Sequence, residues 1–135
     1  MRAVLDVNVL ISAVLSPRGT PAQLVRAWLH GAFDVVVSEH LLTELARALA
    51  YPKLRNRIPP ADAEAYVELL RRTAIALPDP TTPPPARAKD PDDDYLLALA
   101  RDAGAALVSG ARHLLALRGD LPVFSPGEFA ARVAD

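Results

Sequence analysis

Apolar residues in this chain fall into short clusters of two kinds. Ala3-Val4-Leu5, Phe33 to Val37, Ala105 to Ser109 and Pro122-Val123-Phe124 are brief and continuous, as buried parallel strands are. Ala74 to Leu77 is a candidate fifth strand. Between these runs, apolar positions recur at helical spacing: Val9-Leu10-Ile11 with Ala13-Val14-Leu15, Leu24/Val25/Trp28/Leu29, and Leu41/Leu42/Leu45/Ala48/Leu49. Ala63/Tyr66/Val67/Leu70/Ala74 and the stretch Tyr95 to Ala103 continue the series. Helix signals punctuate it. Thr20-Pro21-Ala22-Gln23 reads as a start with Thr20 as cap, Gly31 as a stop, Ser38 as a cap, and Ser125-Pro126-Gly127-Glu128 as a capping box.

Strands alternating with helices imply right-handed crossovers and a parallel sheet. The predicted fold is therefore α/β, with one domain over residues 1–135. Pro78 to Pro85 is a stiff extended connector, expected as a surface loop because neither side of it could form a core alone. The chain has 135 residues, enough for one core. It contains no cysteine, which excludes disulfides and thiolate metal sites. No apolar run spans a bilayer and no basic-then-apolar leader opens the chain, so no membrane association and a cytoplasmic location are expected. A formal net charge of −1 argues against a globally basic nucleic-acid binder. It leaves room for a local basic rim, for which Lys53, Arg55, Arg57, Arg87, Lys89 and Arg112 are the candidates.

The carboxylates carry the chemistry. Asp6 ends the first strand, where open α/β sheets bind ligands; with Asn8 it could equally cap the helix that follows. Glu44 falls on the flank of its helix's apolar stripe, able to face the same crevice or to pair with Arg47. Asp90-Pro91-Asp92-Asp93-Asp94 suits a helix start, with Asp90 as cap, yet four carboxylates in five residues exceed what a cap requires. Asp93 shares a stripe with Leu97, Ala100 and Gly104, so it should face the sheet more than Asp94 does; periodicity leaves Asp92 open as well. Separate carboxylates converging on one crevice repel unless a cation neutralises them. Oxygen-only ligands suit Mg²⁺ or Mn²⁺, and such a cation supports phosphodiester hydrolysis.

The segments LDVNVLISAVL, VVVSEHLLTELARAL, DPDDDYLLALA and ALVSGARHLLAL resemble, in order and spacing, the PIN-domain proteins, and specifically the VapC-like toxin components of toxin–antitoxin systems. The resemblance runs from Ala3 to Phe129. It implies a three-layer α/β/α sandwich around a five-stranded parallel sheet and a Mg²⁺- or Mn²⁺-dependent endoribonuclease. It further implies a small antitoxin partner and self-association into a homodimer or higher oligomer. Position by position, Asp6, Glu44 and Asp93 match the family's metal-binding acids, and Asn8 its polar partner. One position departs. The family's VTGD-type strand end, which supplies a further acid, reads Val108-Ser109-Gly110-Ala111 here, and Ala111 has no ligand oxygen. Asp120 is too far along to replace it and His113 is a poor hard-cation ligand, while Ser109 or Arg112 could still meet a phosphate.

The departure keeps a second reading open: a catalytically inactive PIN-fold module that binds RNA or a protein. Phosphotransfer domains of the haloacid-dehalogenase type want a second carboxylate where Asn8 stands. Dinucleotide-binding domains want glycine after the first strand, and Asp6-Val7-Asn8-Val9 has none. No serine or histidine falls in a nucleophile elbow.

Overall fold

The computed structural model describes residues 1–84, 86–88 and 90–134. Five short strands, β1 (Arg2–Leu5), β2 (Asp34–Val37), β3 (Ile75–Ala76), β4 (Ala106–Val108) and β5 (Val123–Phe124), form one sheet in the order β3-β2-β1-β4-β5. Every pairing is parallel, with Ala3 opposite both Val35 and Ala106. The helices are α1 (Val7–Leu15), α2 (Thr20–Leu29), α3 (Glu39–Leu49), α4 (Pro52–Arg55), α5 (Pro60–Thr73), α6 (Asp94–Ala103), α7 (Arg112–Leu115) and α8 (Pro126–Val133). Together they make the parallel α/β fold that the alternation predicts and the three-layer α/β/α sandwich that the family resemblance implies.

Strand order explains where the two faces are filled. The chain steps outward from β1 to β2 to β3, then returns past β1 to β4 and β5, so right-handed crossovers put α1 to α5 on one face and α6 on the other. α8 follows β5 and packs on both β5 and α2. Ala3, Val4, Leu5 and Val35 to Val37 are buried in the middle layer, and Leu10, Leu41, Leu45, Leu96 and Leu99 close on them from the helices. No described helix is long and apolar enough to cross a membrane.

Local signals hold with small shifts. Ser38 Oγ accepts from the Leu41 amide at 3.3 Å, and the Ser125/Glu128 capping box forms in full. The α2 start moves by one residue: Gly19 takes the cap position, and Thr20 is already helical and makes no cap bond, because Pro21 is accommodated within the first turn. Gly31 ends that helix at φ +86°, a left-handed conformation that costs glycine little. The proline-rich connector contains no regular element among the described residues, and Pro85 lies outside them. It is strapped down at several points. The His40 amide donates to Asp79 at 3.1 Å, and the Arg101 guanidinium donates to the carbonyls of Thr82 and Pro83.

α8 is anchored by Phe129, which meets Phe33 edge-on at 5.1 Å and lies near Phe124. Phe129→Ala should lower unfolding stability by about 3–5 kcal/mol in a denaturant titration, the usual cost of emptying a buried aromatic site. A change under 1 kcal/mol would mean that α8 is not part of the cooperative core.

Candidate metal centre

The reversal of strand order falls between β1 and β4, and the crevice outside their carboxyl ends is where such sheets bind ligands. Asp6 stands at that point, one residue past β1, and is only 5 % exposed. Its backbone begins α1, with its carbonyl accepting from the Val9 and Leu10 amides, but its side chain makes no cap hydrogen bond. The carboxylate instead accepts the Ser109 hydroxyl at 2.7 Å, and Ser109 Oγ in turn accepts the Ala111 amide at 3.0 Å. Burial pushes the Asp6 carboxyl above its ordinary value of 3.8; the Ser109 bond opposes that, and repulsion from Asp93 adds to it. Ser109 is fully buried, with its hydroxyl directed at Asp6. Asn8 is exposed in the first turn of α1, beside the carboxylate.

The acidic cluster divides its work. Asp90 caps a 3₁₀ turn, Pro91–Asp93, by accepting the Asp92 amide at 3.0 Å. Asp92 is exposed, so Asp93 is the more inward of the two. Asp94 does not follow the periodicity argument. At 14 % side-chain exposure it is better covered than Asp93 at 26 %, because the returning connector closes over it. Its carboxylate accepts the Ala88 amide at 2.6 Å and pairs with Arg87 at 3.0 Å, which together hold it below the usual carboxylate range. Asp94 therefore fastens the connector. Asp93 Oδ2 lies 2.6 Å from His113 Nε2, hydrogen-bond distance for a ring N–H donating to the carboxylate. Glu44 pairs with Arg47 at 2.5 Å, the alternative its helix position left open.

Among the described residues, no three His, Asp or Glu side chains are gathered closely enough to hold a metal ion together. Asp6 and Asp93 nevertheless sense one another, and a neighbouring residue senses all three acids. The Tyr95 phenol is pushed upward by burial first, and then by the charges of Asp6, Glu44, Asp93 and Asp79. The charges of all three acids reach Tyr95 at this edge of the sheet, but among the described residues the three do not meet at one point.

The expected basic rim disperses. Arg112 lines a broad cavity beside His113 and Asp90, whereas Arg87 is committed to Asp94. Lys53, Arg55 and Arg57 lie past the far end of α3, and Arg55 lines a separate groove between α3 and α5. Lys89 lies outside the described residues.

A family model described as PIN domain matches residues 2–113. This chain belongs to the PIN-domain family. The fold agrees with PAE2754 from Pyrobaculum aerophilum (TM-score 0.66, 16 % identity, covering 99 % of this chain and 90 % of that one). It agrees also with VapBC2 from Rickettsia felis, determined with a DNA fragment from its promoter (TM-score 0.63, 10 % identity, covering 93 % and 97 %). No curated protein matches the sequence.

Asp6 and Asp93 bring to this edge of the sheet oxygen donors of the kind a hard cation takes; Mg²⁺ is commonly held by one or two carboxylates and keeps several waters. Sequence reasoning passed over His113 as a poor ligand and missed its role as the partner of Asp93. The signal was its place two residues after Ala111, in the first turn of α7, the short helix that follows β4.

Because folding raises the Asp6 pKa above 3.8, the folded state binds more protons than the unfolded chain between those two values. Stability therefore falls as pH rises through that interval, and stays lower at neutral pH. Asp6→Asn keeps an acceptor for Ser109 and removes the buried charge. Without metal at pH 7 it should raise Tm by about 2–6 °C. Millimolar Mn²⁺ should raise the Tm of the wild type and leave the variant unchanged. Destabilisation by Asp6→Asn, or an equal Mn²⁺ shift in both proteins, contradicts this electrostatic account.

Proposed function

We propose that this PIN domain, acting as one unit over residues 1–135, is a Mg²⁺- or Mn²⁺-dependent endoribonuclease of the toxin–antitoxin type. The observation that carries the reading is Asp6. Its carboxylate is buried at the topological switch point, bonded to the Ser109 hydroxyl and within reach of the Asp93 charge, an energetic cost that a cation would relieve.

In this reading Ser109 fixes the rotamer of Asp6, and His113 fixes that of Asp93, so both present oxygens to the crevice in set directions. A bound divalent cation supplies charge stabilisation on the phosphodiester and a lowered pKa for water. Glu44 stands by on the adjoining wall, held by Arg47 until the crevice fills. Arg112, exposed at the same edge, is placed for a phosphate of the strand. A small antitoxin as partner, self-association and a cytoplasmic setting follow from the likeness to a VapBC complex and from the family.

A second reading, a PIN module that binds RNA or a protein without cutting, is favoured by Ala111. It lies at the start of α7, beside the site, and contributes only its backbone amide. A cleavage assay on single-stranded RNA separates the two. If the wild type cuts with Mn²⁺ and Asp6→Asn does not, the acids present suffice. Ser109→Ala should then lower activity or metal affinity about 10- to 100-fold, as expected for a group that orients a ligand. If only Ala111→Asp cuts, the natural chain is the binding module.

A further inference from the structure

Beside the acids lies a cavity of about 430 Å³, lined by His40, Glu44, Arg47, Pro91, Asp92 and Tyr95. Its aromatic wall comes from two separate elements. His40 is in the first turn of α3 and Tyr95 in the first turn of α6, so both stand at the carboxyl edge of the sheet. Their rings sit 4.0 Å apart between centroids, inclined at 43°. The α3 cap does not need the His40 ring, since its hydrogen bonds run through the Ser38 side chain and the His40 backbone amide.

We propose that this cavity, walled by His40, Tyr95 and Arg47, is the subsite for an unpaired nucleobase next to the scissile phosphate. The inference rests on the ribonuclease reading above. Its size is within the range of pockets that take small ligands. An aromatic wall receives any base by stacking, without reading its sequence. Glu44 and Asp92 repel a phosphate from the interior and offer acceptors to the N–H groups of a neutral base. The phosphate then stays at the rim, where Arg47 is largely exposed. Its pair with Glu44 is a surface ion pair, worth little net, so exchanging Glu44 for a phosphate costs little. A base inside a duplex cannot enter without unpairing, so the cavity selects single strands.

The test uses the full chain with Ca²⁺ in place of the supporting metal, and a short single-stranded RNA carrying one 2-aminopurine at each position in turn. Fluorescence should change at one or two adjacent positions, and the matching duplex should bind more weakly. His40→Ala and Tyr95→Leu should weaken binding roughly 5- to 100-fold and abolish the signal, whereas Tyr95→Phe should retain both. Arg47→Gln should reduce the salt dependence of binding by about one phosphate contact. With Mn²⁺, the loss in His40→Ala should fall on KM more than on kcat. Wild-type binding or cleavage that His40→Ala and Tyr95→Leu leave untouched, at unchanged Tm, overturns the subsite and spares the nuclease reading. A wild type that binds no RNA overturns both.

Discussion

One hydrogen bond, from the Ser109 hydroxyl to Asp6, governs the character of this site. The carboxylate sits at the end of the central strand, where neighbouring strands and helices exclude most water. Left alone there it would turn outward or protonate. Ser109 holds it inward, and the Ala111 amide orients the Ser109 oxygen in turn. β1 and β4 pair through Leu5 and Val108, so the sheet register itself brings the two residues that follow face to face. The fold thus builds an electrostatic deficit into its own switch point, and everything gathered around it is a response to that deficit.

The other two acids answer it differently. Asp93 is steadied by His113, a histidine that follows the position where the family's further acid is missing. Ala111 brings no carboxylate to this edge of the sheet, and the Asp93 carboxylate is turned toward the His113 ring. Glu44 is held back by an exposed arginine, in a pairing weak enough to be exchanged. The carboxylates are thereby graded: one buried and fixed, one half-buried and braced, one at the rim and exchangeable.

Much of this was legible in the amino-acid order. Strand runs such as Ala3-Val4-Leu5 and cap signals such as Ser38 are local, and local rules located them within a residue or two. Asp6 was legible as well, because a polar residue between a buried strand and a helix has few places to point. What periodicity could not reach depended on distant chain. Asp94 belongs by its helical stripe to the outer side, yet the connector from β3 folds back over it and turns it into a clamp. Nothing in the neighbourhood of Ser109 along the chain reveals that Asp6, 103 residues earlier, accepts the hydrogen bond of its hydroxyl. The pairing of His40 with Tyr95 is equally a product of topology, since the two share only the sheet edge.

The proposed cation site between Asp6 and Asp93 is open to anomalous diffraction from crystals soaked in Mn²⁺. A manganese peak in contact with both carboxylates is expected, with Ser109 still bound to Asp6 and His113 still against Asp93. Crystals at millimolar Mn²⁺ that show no peak at that edge of the sheet, or a peak touching neither residue, would contradict it.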